Sequence, residues 1–145
     1  MHSGDPFDLH RFVKAQEPAF ATALQELTQG RKRTHWMWFI FPQMRGLGSS
    51  PMAALYGIGS LEEARAYLAH RVLGNRLARC TEAVLDLGGV SLTAIFGSPD
   101  DVKFCSSMTL FAIASGEAPS VFRQALDRYC GGCLDPRTAH LLDGS

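Results

Sequence analysis

The sequence predicts a single all-α domain of about eight to ten short helices, and three observations carry that expectation. Six of the seven prolines stand where a helix would begin, the position at which a missing N–H costs nothing. Several of them follow directly on a residue that caps helices well: Asp5-Pro6, Ser50-Pro51, Ser98-Pro99 and Asp135-Pro136. No stretch alternates apolar and polar residues over the length of a half-buried strand.

Taken in order, residues 6–16 place Phe7, Leu9, Phe12 and Val13 among charges, the pattern of a short amphipathic helix. Asp8 adds a carboxylate near its positive end. Pro18 restarts the chain, and Phe20, Ala23, Leu24 and Leu27 give a second helix that stops at Gly30. The apolar run 35–43 fits a buried strand or a buried helix; helix is preferred because no second strand is evident to pair with it. A glycine loop at 45–50 leads to a helix through Tyr56. Ser60-Leu61-Glu62-Glu63 forms a capping box for residues 61–69. Residues 72–87 keep Leu73, Leu77, Cys80, Val84 and Leu87 at steps of three and four, ending at Gly88-Gly89. Ser91 caps one turn through Phe96. Residues 99–114, with Asp101 in the first turn, residues 119–130 and residues 136–142 complete the set.

At 145 residues the chain is read as one domain over 1–145, with residues 1–4 as a loose tail. A chain of this size buries about 68% of its unfolded surface, so neither disulfide nor metal is required to hold it. Fourteen basic and fourteen acidic residues cancel, which removes the basic field of a non-specific nucleic-acid binder. The N-terminus has no apolar h-region, and the longest apolar run, Trp36 to Phe41, is far too short to span a bilayer. A cytoplasmic location is expected, with Cys80, Cys105, Cys130 and Cys133 all as thiols.

The chemistry concentrates in two segments. In the first, Arg31-Lys32-Arg33-Thr34-His35 runs into a block that holds both tryptophans. On a helix His35, Trp38, Phe39 and Gln43 would share one face, offering an imidazole, an indole N–H and an amide. Aromatic faces stack planar rings, and Arg31 and Arg33 suit phosphate. The plain alternative is that the tryptophans are core and the cations a solvated turn. In the second segment, Asp100, Lys103 and Ser107 share a helix face, while Ser106, Thr109 and Ile113 turn partly away. A lysine beside a serine suits nucleophilic chemistry; the alternative is an Asp100–Lys103 pair with hydroxyls bonded to the preceding turn. Cys130-Gly131-Gly132-Cys133 has C-x-x-C spacing but follows a helix instead of starting one, and no second pair supplies a zinc set. No metal or cofactor is expected. His10, His70 and His140 read as surface residues.

Several blocks together resemble a known family. Asp5-Pro6-Phe7-Asp8-Leu9 with Arg11-Phe12-Val13, Gly30 through Gln43, Ser50-Pro51-Met52-Ala53 with Tyr56, Ala66-Tyr67-Leu68 with His70, and Leu73-Gly74 with Arg76-Leu77 carry the likeness. The last long block runs from Phe96-Gly97 through Ser106-Ser107-Met108-Thr109-Leu110-Phe111. The chain is thereby similar, from about Asp5 to Leu142, to the bacterial family catalogued as domain of unknown function 1810, whose members are sometimes labelled "calpastatin". The resemblance implies a compact helical domain, no established activity and no assigned catalytic residue. Arg71, Cys105 and the cysteines at 130 and 133 depart from the family pattern.

The functional expectation is a polar pocket between 31–43 and the helix that begins at Pro99. In it Arg31 and Arg33 hold a phosphate-bearing, nucleotide-like ligand, Trp38 stacks its ring and Gln43 contributes an amide. His35 and Asp100 serve proton transfer beside Lys103, Ser107 and Thr109 fix a hydroxylated group, and any chemistry would be hydrolysis. The competing expectation is a non-catalytic module that binds a protein partner through an exposed apolar helix face.

Overall fold

The computed structural model describes residues 4–143. Met1–Ser3 of the expected N-terminal tail lie outside them, and Gly4 is exposed. Among the described residues the fold is all-α: α1 (His10–Gln16), α2 (Phe20–Thr28), α3 (Met37–Ile40), α4 (Pro51–Tyr56), α5 (Leu61–Ala69), α6 (Arg71–Asp86), α7 (Leu92–Phe96), α8 (Asp100–Ala114), α9 (Val121–Tyr129) and α10 (Pro136–Asp143).

Two long helices form the centre. α6 packs on α2, α5 and α9, and α8 packs on α5, α7, α9 and α10, so α5 and α9 bridge the two. α8 is buried at every position from Ser106 to Ala112, because neighbours cover nearly its whole circumference. The fully buried Leu27, Leu73, Leu77, Phe104 and Phe111 each contribute about 1.5–3 kcal/mol by leaving water. The buried Gln16 at this centre is paired: it donates to the Phe39 carbonyl (2.7 Å) and to the Tyr67 hydroxyl (3.0 Å).

The serine caps behave as their positions predict. Ser50, Ser60, Ser91 and Ser120 each accept from the backbone N–H three residues on, at 3.1 Å. Asp135 caps α10 by accepting from the Thr138 N–H (3.0 Å) and hydroxyl. Glu63 reaches back to the Gly59 N–H (2.9 Å), a capping box displaced by one residue. His70 caps α6 with Nδ1, which accepts from Val72 and Leu73. α4 buries none of its own residues. Its end is held instead by two guanidiniums: Arg11 donates to the carbonyls of Leu55 (2.8 Å) and Gly57 (3.1 Å), Arg45 to those of Ala54 (3.3 Å) and Gly57 (3.0 Å). Arg11 also pairs with buried Glu63 at 2.8 Å.

Four sequence expectations are corrected. The first helix starts at His10, not at residue 6. Asp8 takes a left-handed φ of 52°, which no helix tolerates, and the Asp5 carboxylate reaches forward to cap Leu9 (2.7 Å) and His10 (3.1 Å). Ser98 does not cap α8; the Ser98–Pro99 bond is cis and the helix opens at Asp100 with no side-chain cap. The run 35–43 is helical only over Met37–Ile40; beyond it Met44 forms an isolated parallel bridge with Ile58, the partner that the sequence did not reveal. Finally, Cys105 and Cys130 are a disulfide, because α8 and the end of α9 bring their Cα atoms to 6.0 Å; Cys80 and Cys133 are thiols.

Candidate functional site

Residues 31–36 are not helical, and the chain bends at Thr34 and His35. Arg31, Arg33, Thr34 and His35 are exposed, while the side chains of Lys32 and Trp36 turn inward. The cation run is thus sorted by the backbone into an outer row and an inner row. What holds it in shape lies beneath. Glu26, 6% exposed on the inner face of α2, accepts from the Arg33 N–H (2.8 Å), the Thr34 N–H (3.1 Å), the Thr34 hydroxyl (2.8 Å) and the Trp36 indole N–H (2.9 Å). Burial raises the pKa of this carboxyl, but the hydrogen bonds from Arg33, Trp36 and Thr34 outweigh it and hold the group below its ordinary value. No described cation pairs with it.

The inner row meets α8. Lys32 Nζ lies 3.1 Å from one Asp100 oxygen and 5.2 Å from the centre of the Trp36 ring. The other Asp100 oxygen is 3.5 Å from Lys103 Nζ, one turn along α8. Asp100 therefore sits between two ammonium groups, and the three side chains carry one net positive charge.

Lys103 also lines a cleft with Met37, Trp38, Phe41, Gln43, Ala53, Tyr56 and Gly57. α3 supplies one wall, α4 a second, α8 the floor. Phe41 and Phe104 pack edge to face at 5.2 Å behind it, and Tyr56 is braced by Phe39 (5.4 Å) and Phe12 (5.8 Å). Trp38, Gln43 and Tyr56 are half-buried, so each shows part of its surface to the cleft. The cleft is narrow: its volume is about 10 Å³, room for roughly one water.

Of the residues singled out from sequence, the structure brings Trp38, Gln43 and Lys103 into one cleft and places Asp100 against Lys103. It does not bring the others to that wall. Arg31, Arg33 and His35 lie on the exposed side of the loop. Ser107 is fully buried, its hydroxyl without a partner. Thr109 donates to the Cys105 carbonyl (2.8 Å) and accepts from the Asp135 N–H (2.9 Å), which ties α8 to the start of α10.

Three participants were not singled out. Lys32 was read with Arg31 and Arg33 as one cation run, with nothing to tell its inward side chain from theirs, and Tyr56 on α4 lies outside both segments that were singled out. Glu26 carried a usable signal: Ala23, Glu26 and Leu27 are spaced by three and four, which puts an acid on the buried face of α2. A buried acid at such a position needs donors nearby. No group of three or more metal-ligating side chains occurs among the described residues, and no described helix is long and apolar enough to cross a membrane.

Set against known proteins, the chain matches a family model over residues 6–142, described as "Protein of unknown function (DUF1810)". It is similar to the crystal structure of the conserved hypothetical protein Rv1873 from Mycobacterium tuberculosis, with 57% identity, a TM-score of 0.91, and coverage of 96% of this chain and 99% of that one. No curated protein matches it.

Proposed function

The chain belongs to the DUF1810 family of proteins of unknown function, and from that premise we propose that it binds a small planar ligand bearing phosphate or another anion in the cleft of Trp38, Gln43, Tyr56 and Lys103. The observation that carries this reading is the composition of the cleft. Two half-buried aromatic side chains flank one ammonium and one amide, and the Gln43 side chain bonds to no described residue. Apolar walls with a few convergent polar groups are the usual form of a small-molecule site.

Size narrows the ligand. The cleft's volume of about 10 Å³ is far below the ~300–1,000 Å³ of sites for drug-sized ligands. A small anion fits at its mouth as it stands, and a ring with its phosphate enters only as the walls part; a dinucleotide does not fit. Lys103 meets the anion, since the second ammonium on Asp100 leaves a net positive charge at that end of the cleft. Trp38 and Tyr56 take the ring, and Arg31 and Arg33 act as an outer approach for the negative charge.

Binding is favoured over hydrolysis. Both Asp100 oxygens face an ammonium, so the carboxylate is poorly placed to activate water while those pairs persist. His35 lies outside the cleft wall.

The test is a thermal-shift and fluorescence titration with inorganic phosphate, ribose 5-phosphate and nucleoside monophosphates. A ligand at a hundred times its Kd stabilises the fold by about 2.7 kcal/mol. The midpoint is expected to rise with at least one of these, Lys103→Met to abolish the rise, and Trp38→Phe to remove the fluorescence change, because Trp36 is sealed at 1% exposure. A flat response across the panel at millimolar ligand, or a rise untouched by Lys103→Met, overturns the reading.

A further inference from the structure

Three of the four cysteines lie on α8 and at the end of α9, and none of them lines the cleft. Cys130 is the C-cap of α9 and is bonded to Cys105 on α8. Cys133, three residues on, is an exposed thiol. The chain between them closes as a turn: the Cys133 N–H donates to the Cys130 carbonyl at 3.3 Å, and Gly131 and Gly132 have φ of 69° and 72°. Two successive left-handed residues favour glycine and give a tight reversal of the chain. Such a turn brings its first and fourth Cα atoms within about 7 Å, close to the ~4.4–6.8 Å separation that a disulfide spans. The Cys133 sulfur already turns back over it, 3.6 Å from the Gly131 carbonyl.

We propose that Cys105, Cys130 and Cys133 form an intramolecular thiol–disulfide exchange site. The Cys133 thiol gives up its proton and its sulfur attacks Cys130 Sγ. A Cys130–Cys133 bond forms as the Cys105–Cys130 bond breaks, and the Cys105 sulfur leaves with the electron pair and takes up a proton. The sum is one thiol and one disulfide on each side, so no outside oxidant or reductant is consumed. In one form α8 is tied covalently to the end of α9; in the other that tie is gone and the disulfide closes only the local turn. The attacker is a thiolate, so base speeds the step. Cys80 takes no part: it is fully buried, and burial pushes its thiol up to about 12.

The full chain, kept oxidised, is incubated at pH 9 with a trace of reduced glutathione, quenched in acid, alkylated and mapped by mass spectrometry without reduction. Trypsin separates Cys105 (peptide 104–123) from Cys130 and Cys133 (peptide 129–137) and from Cys80 (peptide 80–103). At the start the alkyl group is expected on Cys133, with 104–123 linked to 129–137. With time it moves to Cys105 while 129–137 appears as an internally closed loop. Cys133→Ser abolishes labelling of Cys105, and Cys105→Ser gives the closed loop as the sole disulfide. Labelling that stays on Cys133 throughout overturns the proposal. So does Cys105→Ser protein that keeps both remaining sulfurs as thiols in the same oxidising buffer, or starting material in which Cys105 and Cys130 are already alkylated.

Discussion

Two carboxylates flank the segment 31–36, and the protein handles them in opposite ways. Glu26, 6% exposed, is bound by four hydrogen bonds from uncharged donors, three on the loop backbone and hydroxyl and one on the Trp36 indole. Asp100, its side chain 20% exposed, faces two ammonium groups. The difference teaches what each is for. Donors gathered on a buried acid have no other partner if it goes, so Glu26 holds the loop in shape. Of its two partners Lys103 is the more exposed, its side chain at 32% against 10% for Lys32; exposed ion pairs contribute little to folding, so the charge of Lys103 can serve a ligand at small expense to stability.

The comparison breaks first, and hardest, at Glu26. Glu26→Ala leaves several inward-facing donors without an acceptor, and a loss of about 3 kcal/mol is expected, read as a lower urea midpoint at unchanged slope. A loss below ~1 kcal/mol would make the loop self-supporting and erase the contrast. A smaller effect comes from acid. The folded pKa of Glu26 lies below its ordinary 4.5. Its stabilisation is therefore complete above that value and is lost as pH falls through the folded pKa. The stability profile of wild type minus Glu26→Gln should decline in that acidic window and stay flat above it. The smallest effect belongs to Asp100→Asn, expected to cost under ~1 kcal/mol and less still in high salt. A loss above ~2 kcal/mol would put Asp100 in the same class as Glu26.

How legible all this was depends on what fixes each element. α5 was readable to the residue because a serine cap and a following glutamate fix it locally, and α6 to within one residue at each end because its apolar residues repeat over four turns. The segment 31–43 was not, since its shape is set from a distance: by Glu26 below, by Asp100 from α8 and by Ile58 across the bridge. Reading it as a helix put His35 beside Trp38, whereas the irregular backbone before α3 puts Lys32 on the inner side and leaves His35 outside. The meeting of Trp38, Gln43 and Lys103 survived that misreading because the aromatic block does pack near the first turns of α8. The disulfide was illegible for the same reason: 25 residues separate its cysteines, and only the packing of α8 on α9 joins them.

The way α4 is fastened has a consequence for the cleft beside it. That helix buries no residue of its own and is clasped at its carbonyl end by Arg11 and Arg45. Releasing it breaks four guanidinium bonds that water can replace and the ring contacts of Tyr56 with Phe12 and Phe39, and leaves the packing of α8 on α5 and α9 untouched. Segments with few buried contacts open locally, far below the free energy of global unfolding. Ala53, Tyr56 and Gly57, the wall that α4 gives the cleft, thus ride on an element with no fully buried residue of its own. A guest larger than the room in front of Lys103 is expected to enter by moving that wall and not the buried helices behind it.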